Sequence, residues 1–426
     1  MSTRLVDSLA ATEALSQIFS DGAVLQAMLA FEAALVRAEA GLGVVPADAA
    51  ETIAGAAVAE GFDTAELVRQ SLRAGTPAIP LVRMLTERVR THNAIAAGFV
   101  HWGATSQDVT DTALVLLLSR CRQVLEADHH RVLRGLRRIS DEHANTVMLG
   151  RTLLQPAPPI TFGLKAAGWL GVVRRGWVRV ASRFDEAAYV QFGGASGTLA
   201  ALGSQGIAVS EALAQELKLR SPDAPWHAHR DRLAALMAAL GIYTASLGKI
   251  ALDIALLMQY EVGEVAEPGG DGRGGSSTMP HKRNPTACML VIAAAKRTPG
   301  LVSNFLSGML QEHERGLGWQ SEWATVQAIV QAAGVALESM AEVAEGLTVD
   351  AARMRRNIEA TGGAVFAEKA MMLLAPEVGR DAAYREVDES ARKTGSPPEL
   401  PGLREPEGYL GSAEEFRLRL LDGKEY

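Results

Sequence analysis

Apolar side chains recur along much of the chain at steps of three and four residues, the spacing that places them on one face of a helix. The first clear run begins at Asp21, and its apolar members share one stripe: Val24, Met28, Phe31 and Leu35. Gly41 and Gly43 follow, and glycine commonly ends a helix because it accepts left-handed backbone. The pattern therefore predicts a helix that begins at Asp21 and stops at these glycines.

The longest uninterrupted pattern begins at Thr110 or Thr112 and continues to Ile139. At about 1.5 Å per residue, roughly thirty residues form a rod about 45 Å long. Helices of that length are typical of bundles. Four more segments show the same periodicity: residues 159–187, 232–265, 285–310 and 322–347.

Apolar residues almost encircle the helix axis in the segment 232–265: Leu236, Met237, Leu240, Ile242, Leu247, Ile250, Leu252, Ile254, Leu256 and Leu257. A helix that is apolar all round must be buried on all sides. We expect this helix at the centre of a multi-subunit bundle, and the core of one large monomer is the alternative. No stretch reaches the roughly 18 uninterrupted apolar residues that a membrane-spanning helix needs, so no membrane association is expected.

The amino-acid composition also favours a helical fold. Aromatic residues make up 5% of the chain, whereas alanine and leucine, which favour helices, are abundant. At about 150 residues per domain, the 426 residues suggest two or three domains. We predict an all-α fold with an N-terminal helical domain (1–109), a central long-helix bundle (110–348) and a small C-terminal helical domain (349–426).

Charge and cysteine content narrow the class of protein. The formal net charge is −7, which makes nucleic acid an unexpected partner. Cys121 and Cys288 are too few for a disulfide framework, and the N-terminal residues lack the apolar run of a secretory signal. A cytoplasmic protein is therefore expected.

Two glycine-rich loops interrupt the helical pattern, at residues 191–198 and 268–285. The second contains five glycines and three prolines, which exclude a regular helix. Its polar side chains are crowded together: Ser276, Ser277, Thr278, His281, Lys282, Arg283 and Asn284. Hydroxyl, amide and cationic groups beside glycine backbone suit a carboxylate or phosphate, and a solvated basic turn is the alternative. The phosphate-loop pattern GxxxxGK[ST] is absent, so nucleoside triphosphate binding is not expected.

Three segments carry a family resemblance. GGSSTMPHKRNP at residues 274–285 resembles the signature loop GSSxMPxKxNP of the superfamily of fumarase, aspartase, argininosuccinate lyase and adenylosuccinate lyase. HWGATSQDVTDT at 101–112 and GRTLLQPAPPITFG at 150–163 agree with this superfamily in order and spacing. Within it, the chain most resembles the bacterial 3-carboxy-cis,cis-muconate cycloisomerases, judged by FGGASGT, PWHAHRDR, SLGKIALD, HERGLGWQSEW and ATGGAVFAE.

The resemblance covers nearly the whole chain and implies both an assembly and an activity. The assembly is a homotetramer of three-domain helical subunits, whose middle domains form a twenty-helix core. Each active site would combine the three segments from three different subunits. The activity is that of a cofactor-free cycloisomerase, acting on a small polycarboxylate in the protocatechuate branch of aromatic degradation.

The resemblance also assigns roles to particular residues. Ser276 matches the catalytic serine, which would transfer a proton at carbon. The matching substrate-binding positions are Thr105, Ser106, Thr152, Gln155, Ser277, Lys282 and Asn284. A tricarboxylate needs several cations, for which Arg151, Arg315 and His281 are candidates. His101 would either orient a carboxylate or make a structural hydrogen bond.

One departure from the superfamily pattern bears on the reaction. Members that eliminate an amine or water read RTHxQ in the second segment, and the histidine transfers a proton at the leaving heteroatom; here the position is Leu153. Leucine transfers no proton, whereas a carboxylate with a pKa near 4 is already ionised at neutral pH. Lactonisation by a substrate carboxylate is therefore the first hypothesis. Elimination of an ionised group such as nitrite from a substituted succinate, giving fumarate, is the alternative.

A helical scaffold without activity is a third hypothesis, which the intact Ser276 disfavours. Two histidine pairs are not assigned a functional role. His227 and His229 lack a further ligand at metal spacing, so neither a metal nor another cofactor is predicted. His129 and His130 are expected on a solvated helix face, since they fall on the long helix of the second domain.

Overall fold

The structure is a computed structural model that describes residues 5–270, 274–275, 278–279 and 282–423. Helices dominate it, which confirms the predicted all-α fold class. The α-helices of the described residues are α1 (Glu13–Ile18), α2 (Asp21–Gly41), α3 (Ala47–Ala56), α4 (Thr64–Ala74), α5 (Ala78–Arg90), α6 (Ser106–Glu142), α7 (Phe162–Ala187), α8 (Gly206–Leu217), α9 (Asp231–Leu257), α10 (Thr286–Ser307), α11 (Ser321–Gly346), α12 (Ala351–Glu359), α13 (Ala367–Val378), α14 (Arg380–Thr394) and α15 (Ala413–Asp422).

Within the described ranges, two small antiparallel ladders accompany the helices. They pair β1 (Val147–Thr152) with β2 (Gln155–Thr161), and β3 (Val265–Ala266) with β4 (Thr348–Val349). The larger ladder is a hairpin joined by the two residues between Thr152 and Gln155.

The chain divides into two compact units. The first unit comprises Met1–Ala127, Gly176–Ala245 and Ala294–Ala336, and the second comprises Asp128–Arg175, Ser246–Ala293 and Leu337–Tyr426. The unit boundaries fall inside the long helices α6, α7, α9, α10 and α11. The three-domain division expected from the sequence stays a prediction.

Helix α2 begins and ends where the periodicity predicts. Ser20 caps its start, since the Ser20 hydroxyl oxygen accepts a hydrogen bond from the Ala23 amide at 3.3 Å. The predicted stripe is largely buried in the core of the first unit, where Met28, Phe31 and Leu35 are each at most 1% exposed.

Helix α6 begins at Ser106, four residues before the predicted Thr110. The reason is a side-chain cap. Asp108 reaches back to the amide of Thr105, with its Oδ2 accepting that hydrogen bond at 2.9 Å. A carboxylate three residues into a helix satisfies a backbone donor that the helix itself leaves unpaired. Residues 106–108 of the TSQD run therefore lie in the first turn of the helix, and Thr105 directly precedes it.

The predicted helical segment from residue 159 is wrong at its start. Residues 159–161 belong to strand β2, and α7 begins at Phe162. Pro156, Pro158 and Pro159 lie in this strand. Proline lacks the amide donor that a ladder uses, so it is confined to edge strands such as those of this two-stranded hairpin.

Helix α9 ends at Leu257, eight residues before the predicted residue 265. Burial on all sides is not what this single chain shows. An exposed stripe runs along α9 at steps of three and four: Ile242, Ala245, Lys249, Leu252 and Leu256. Among the described residues, α9 is also the one helix long and apolar enough to cross a membrane, yet 67% of its most apolar 18 residues are buried within the chain.

Candidate active site

The start of α6 is held by the buried carboxylate of Asp108. Its Oδ2 accepts hydrogen bonds from the amides of Thr105 and Gly194, both at 2.9 Å. Its Oδ1 accepts from the amide of Gly193 at 3.0 Å and lies 2.7 Å from Nε2 of His227. One side chain therefore joins the TSQD segment to the glycine-rich loop 191–198 and to the HAH segment.

A second buried network lies one turn along α6. The guanidinium of Arg230 donates to both oxygens of Asp111, at 2.7 and 2.9 Å, and to the carboxylate of Glu322. All three side chains are at most 1% exposed. Burial raises the pKa of Glu322, and the charge and hydrogen bonds of Arg230 oppose that rise. Two carboxylates thus share one cation away from solvent, which makes Arg230 indispensable to this packing.

Four predicted site residues lie in the first unit. Arg315 donates a hydrogen bond to the hydroxyl oxygen of Thr105 at 2.7 Å. His101 lies 2.7 Å, through Nδ1, from Oε1 of Glu32. Ser106 is the half-buried first residue of α6. The structure therefore brings Arg315 and Thr105 into contact, next to the Asp108 cap.

Three further predicted site residues lie on the hairpin of the second unit. Arg151 forms a two-point ion pair with Glu264, at 2.9 and 2.6 Å, and Glu264 also accepts from Asn357 at 2.7 Å. Thr152 and Gln155 are exposed at the tip. A cavity of about 600 Å³ lies beside the hairpin, and Arg151, Gln155 and Asn357 are among its lining residues.

The hairpin tip has an unusual backbone. Leu153 and Leu154 both have left-handed conformations, with φ of 50° and 64°. Their side chains are 96% and 77% exposed. A two-residue hairpin turn of this type usually contains asparagine and glycine, because left-handed backbone is unfavourable for a residue with a branched bulky side chain. Strained backbone conformations are common at active sites and ligand-binding segments, so the strained, exposed tip is a candidate functional segment.

The signature loop is described only in part. Ser276, Ser277 and His281 lie outside the described residues. Lys282 is exposed, and the amide of Asn284 donates to the carbonyl of Gly274 at 2.8 Å. Gly274 has φ of 64°, and a Cβ there would lie 2.8 Å from the Asn284 carbonyl oxygen, so glycine is required.

The helix that follows the loop is anchored by Glu267. Its two carboxylate oxygens accept hydrogen bonds from the amides of Ala287 and Cys288, at 3.0 and 2.7 Å, in the first turn of α10. Glu264, the partner of Arg151, is only three residues away, across strand β3. The hairpin and the end of the loop are therefore tied to the same short stretch of chain.

Sequence reasoning missed several polar residues that organise these segments: the buried Glu32, Asp108, Asp111, His227 and Glu264, and the half-buried Glu267. Asp108 and Asp111 were visible within the TSQDVTD motif, whereas no pattern marks Glu32. The solvated face predicted for His129 is wrong, since its side chain is 2% exposed and burial lowers its pKa to about 3. His129 follows Cys121 and Leu125 on the apolar stripe of α6, whereas His130 is exposed.

The described residues contain no group of three or more His, Cys, Asp or Glu side chains that could hold a metal ion. The chemistry offered by the described site residues is that of hydrogen-bond donors and cations. Arg315 donates to a neutral hydroxyl, so this contact leaves its positive charge uncompensated, whereas the charge of Arg151 is balanced by Glu264. Such groups suit an anionic ligand.

Comparison with known proteins gives concordant similarities. The profile of a family described as lyase matches residues 8–300. The chain is 43% identical to 3-carboxy-cis,cis-muconate cycloisomerase of Bradyrhizobium diazoefficiens, over 100% of both chains. It is 39% identical to nitrosuccinate lyase of Streptomyces davaonensis, over 95% of this chain and 91% of that one. The crystal structure of 3-carboxy-cis,cis-muconate lactonizing enzyme from Pseudomonas putida superposes with a TM-score of 0.93 at 45% identity, over 98% of each chain.

Proposed function

We propose that this chain, which belongs to the lyase family of the fumarase/aspartase superfamily, is a 3-carboxy-cis,cis-muconate cycloisomerase. The observation that carries the proposal is Leu153 at the exposed tip of the hairpin, between Thr152 and Gln155. A proton-transferring residue is absent there, which suits a reacting oxygen that stays ionised. The names of the Bradyrhizobium diazoefficiens relative and of the Pseudomonas putida structure support the same activity.

The reaction proposed is an intramolecular addition. One substrate carboxylate attacks the alkene carbon and forms the C–O bond of a lactone, while a proton is added to the neighbouring carbon. By resemblance, Ser276 delivers that proton. The transient carbanion is delocalised into the adjacent carboxylate, and Ser277, Lys282 and Asn284 stabilise the charge on its oxygens as an oxyanion site does. A carboxylate nucleophile is ionised at neutral pH and requires no base.

The remaining carboxylates need positive partners. Arg315 is the stronger candidate of the two arginines, because its contact with Thr105 leaves its charge available. Arg151 is instead assigned to holding the hairpin through Glu264, and it is also one of the residues that line the cavity beside the hairpin. Thr105, Ser106, Thr152 and Gln155 complete the carboxylate-binding set. The addition changes no oxidation state, so the proposed activity requires no electron-carrying cofactor.

We also propose a cytoplasmic homotetramer whose active sites combine segments of three subunits. The exposed stripe of α9 supports it, because three large apolar residues at helical spacing in water call for a second surface. Replacing Leu252 and Leu256 together by glutamate should give a smaller species in light scattering and abolish turnover. Ile207→Glu, at an exposed apolar position on α8, is the control and should remain tetrameric. Tetramers of the double variant would contradict the proposed interface.

The activity is tested by product analysis on the purified protein. With 3-carboxy-cis,cis-muconate, muconate absorbance should fall and proton NMR should show a lactone with no released fragment. Ser276→Ala should remain folded and lose this turnover. A folded Ser276→Ala variant with the parental rate would remove the serine from the mechanism.

A second activity, elimination of nitrite from nitrosuccinate, is favoured by the 39% identical lyase and by Leu153, since nitrite also leaves without a proton. The two substrates separate the proposals. Release of fumarate and nitrite at a higher kcat/KM than lactonisation would favour the lyase. A stable assembly that turns over neither substrate would favour an inactive scaffold.

A further inference from the structure

We propose that Glu32 is a positioning residue, whose buried carboxylate holds the ring of His101 as a cation directed at a carboxylate of the substrate. The inference rests on the proposed function, because it takes His101 as part of the substrate site. It adds a residue that no sequence motif marks, on a helix with no other predicted role in the site.

The geometry of the pair is the first support. Oε1 of Glu32 lies 2.7 Å from Nδ1 of His101, and the Glu32 side chain is 1% exposed. The His101 side chain retains 16% exposure. Because Nδ1 faces Glu32, the ring nitrogen left to face a ligand is Nε2. An imidazole held on one side by a carboxylate has a defined orientation on the other.

The backbone at His101 is the second support. Its φ of 61° is left-handed, a conformation that costs a non-glycine residue free energy. The residues that follow lead directly into Thr105 and the Asp108 cap. Gly103 is also left-handed, and a Cβ there would lie 3.0 Å from Leu202. Leu202 and the Asp108 cap therefore constrain the backbone of this turn, and the hydrogen bond to Glu32 fixes the side chain of His101.

The charges around the ring are the third support. Burial lowers the pKa of His101, but the charge and hydrogen bond of Glu32 and the charge of Asp108 raise it by more. These carboxylates come from α2 and α6, the elements whose titratable groups act on the ring. Oε2 of Glu32 has no hydrogen-bond partner among the described residues, so His101 is the only described side chain to which this carboxylate is hydrogen-bonded.

Helix α2 also supplies a matched control. Glu39 lies two turns after Glu32 and is likewise buried, with 0% exposure. Burial, reinforced by the charge of Glu32, raises the pKa of Glu39 to about 9, so Glu39 is uncharged near pH 7. Glu39→Gln therefore replaces one neutral side chain by another of the same size. Glu32→Gln instead removes a charge at a similarly buried position of the same helix.

The test measures binding and turnover across pH. In the parent, KM should remain low until the pH passes the raised pKa of His101. Glu32→Gln should raise KM about tenfold near neutral pH, because the His101 ring is then neutral and its charge-assisted hydrogen bond to the substrate carboxylate is lost. The value of kcat should change far less. The pH at which KM rises should also move down. Glu39→Gln should keep the parental KM and its pH profile near neutrality.

A readout without turnover separates this inference from the proposed function. Nitrogen-15 NMR of the histidine rings should show His101 titrating above its ordinary pKa in the parent and lower in Glu32→Gln. Calorimetry with propane-1,2,3-tricarboxylate, a saturated tricarboxylate, should show about tenfold weaker binding to Glu32→Gln. If the parent forms no lactone but these differences hold, the proposed reaction fails and the role of Glu32 stands. An equal effect of Glu39→Gln, an unchanged affinity in Glu32→Gln, or a parental His101 that titrates below its ordinary value would overturn the inference.

Discussion

The two segments that carry most of the predicted carboxylate-binding residues are built in opposite ways. At the start of α6, the backbone of Thr105 is fixed by Asp108, the hydroxyl of Thr105 contacts Arg315, and His101 contacts Glu32. At the tip of the hairpin, residues 152–155 are exposed and two of them are strained leucines.

The two segments differ in how their binding residues are oriented. Buried carboxylates of the same chain orient the α6 segment, so its geometry is set when the subunit folds. The hairpin tip has no such partners on its leucines, although its base is anchored by Arg151 and Glu264. Strained backbone is common at functional sites, and exposed apolar side chains often mark a surface that contacts another molecule, so the tip is consistent with the proposal that it completes a site on another copy of the chain.

The largest effect should follow from removing the cation of the buried network. Arg230→Met leaves Asp111 and Glu322 buried without their partner, which should lower the free energy of unfolding by about 3–5 kcal/mol. Denaturant titration measures it. Arg131→Met, which breaks the partly exposed pair with Glu345, is the control and should cost less than about 1 kcal/mol. Similar losses in both variants would contradict the distinction between the buried and surface networks.

A pH effect on stability should come from Glu39. Its pKa is raised to about 9 in the folded chain, so between pH 5 and 9 the folded state binds more protons than the unfolded state. Stability contributed by the protonated form is present at low pH and is lost as the pH rises. The slope should reach about 1.4 kcal/mol per pH unit, and Glu39→Gln should flatten it. An identical pH dependence of unfolding in both proteins would remove Glu39 as the cause.

At the hairpin tip, a change that stabilises the fold should lower the activity. Replacing Leu153 by asparagine and Leu154 by glycine should stabilise the fold by about 1–2 kcal/mol, because both residues accept left-handed backbone. Lactonisation should fall at the same time. The control is Lys218→Gly at the end of α8, where φ is 55°; it should relieve strain with turnover unchanged. Full activity in the double variant would show that the strained tip serves no function.

The smallest effect should be the rate change in Leu153→His. Lactonisation needs no proton at the reacting oxygen, so an imidazole at the tip should leave kcat unimproved. Stopped-flow absorbance at several pH values measures this. A gain of about tenfold, equivalent to roughly 1.4 kcal/mol in the activation free energy, would show that the reacting oxygen does require an acid or base.

Sequence patterns predicted α2 well because its apolar stripe and its closing glycines are local features of the sequence. The start of α6 was missed because its first turn is polar, and only the contact between Asp108 and Thr105 identifies it as helix. Strand β2 was not predicted because it contains three prolines, which are unusual in strands. Local patterns carry no information about partners distant in sequence, such as Asp111, which lies 119 residues from Arg230.

Glu32 and Glu39 were harder still to predict. Carboxylates in an alanine-rich helix ordinarily occupy its solvated face, and their burial appears only when the neighbouring elements are in place. The roles of Ser276, Ser277 and His281 stay predictions from the resemblance, since these residues lie outside the described part of the chain.

The most direct test of the account is lactonisation of 3-carboxy-cis,cis-muconate in deuterium oxide, followed by NMR of the product. If a protein group delivers the proton at carbon while an ionised carboxylate closes the ring, the lactone should carry one carbon-bound deuterium in a single configuration. A product without carbon-bound deuterium, or with deuterium in both configurations, would contradict proton delivery by the enzyme.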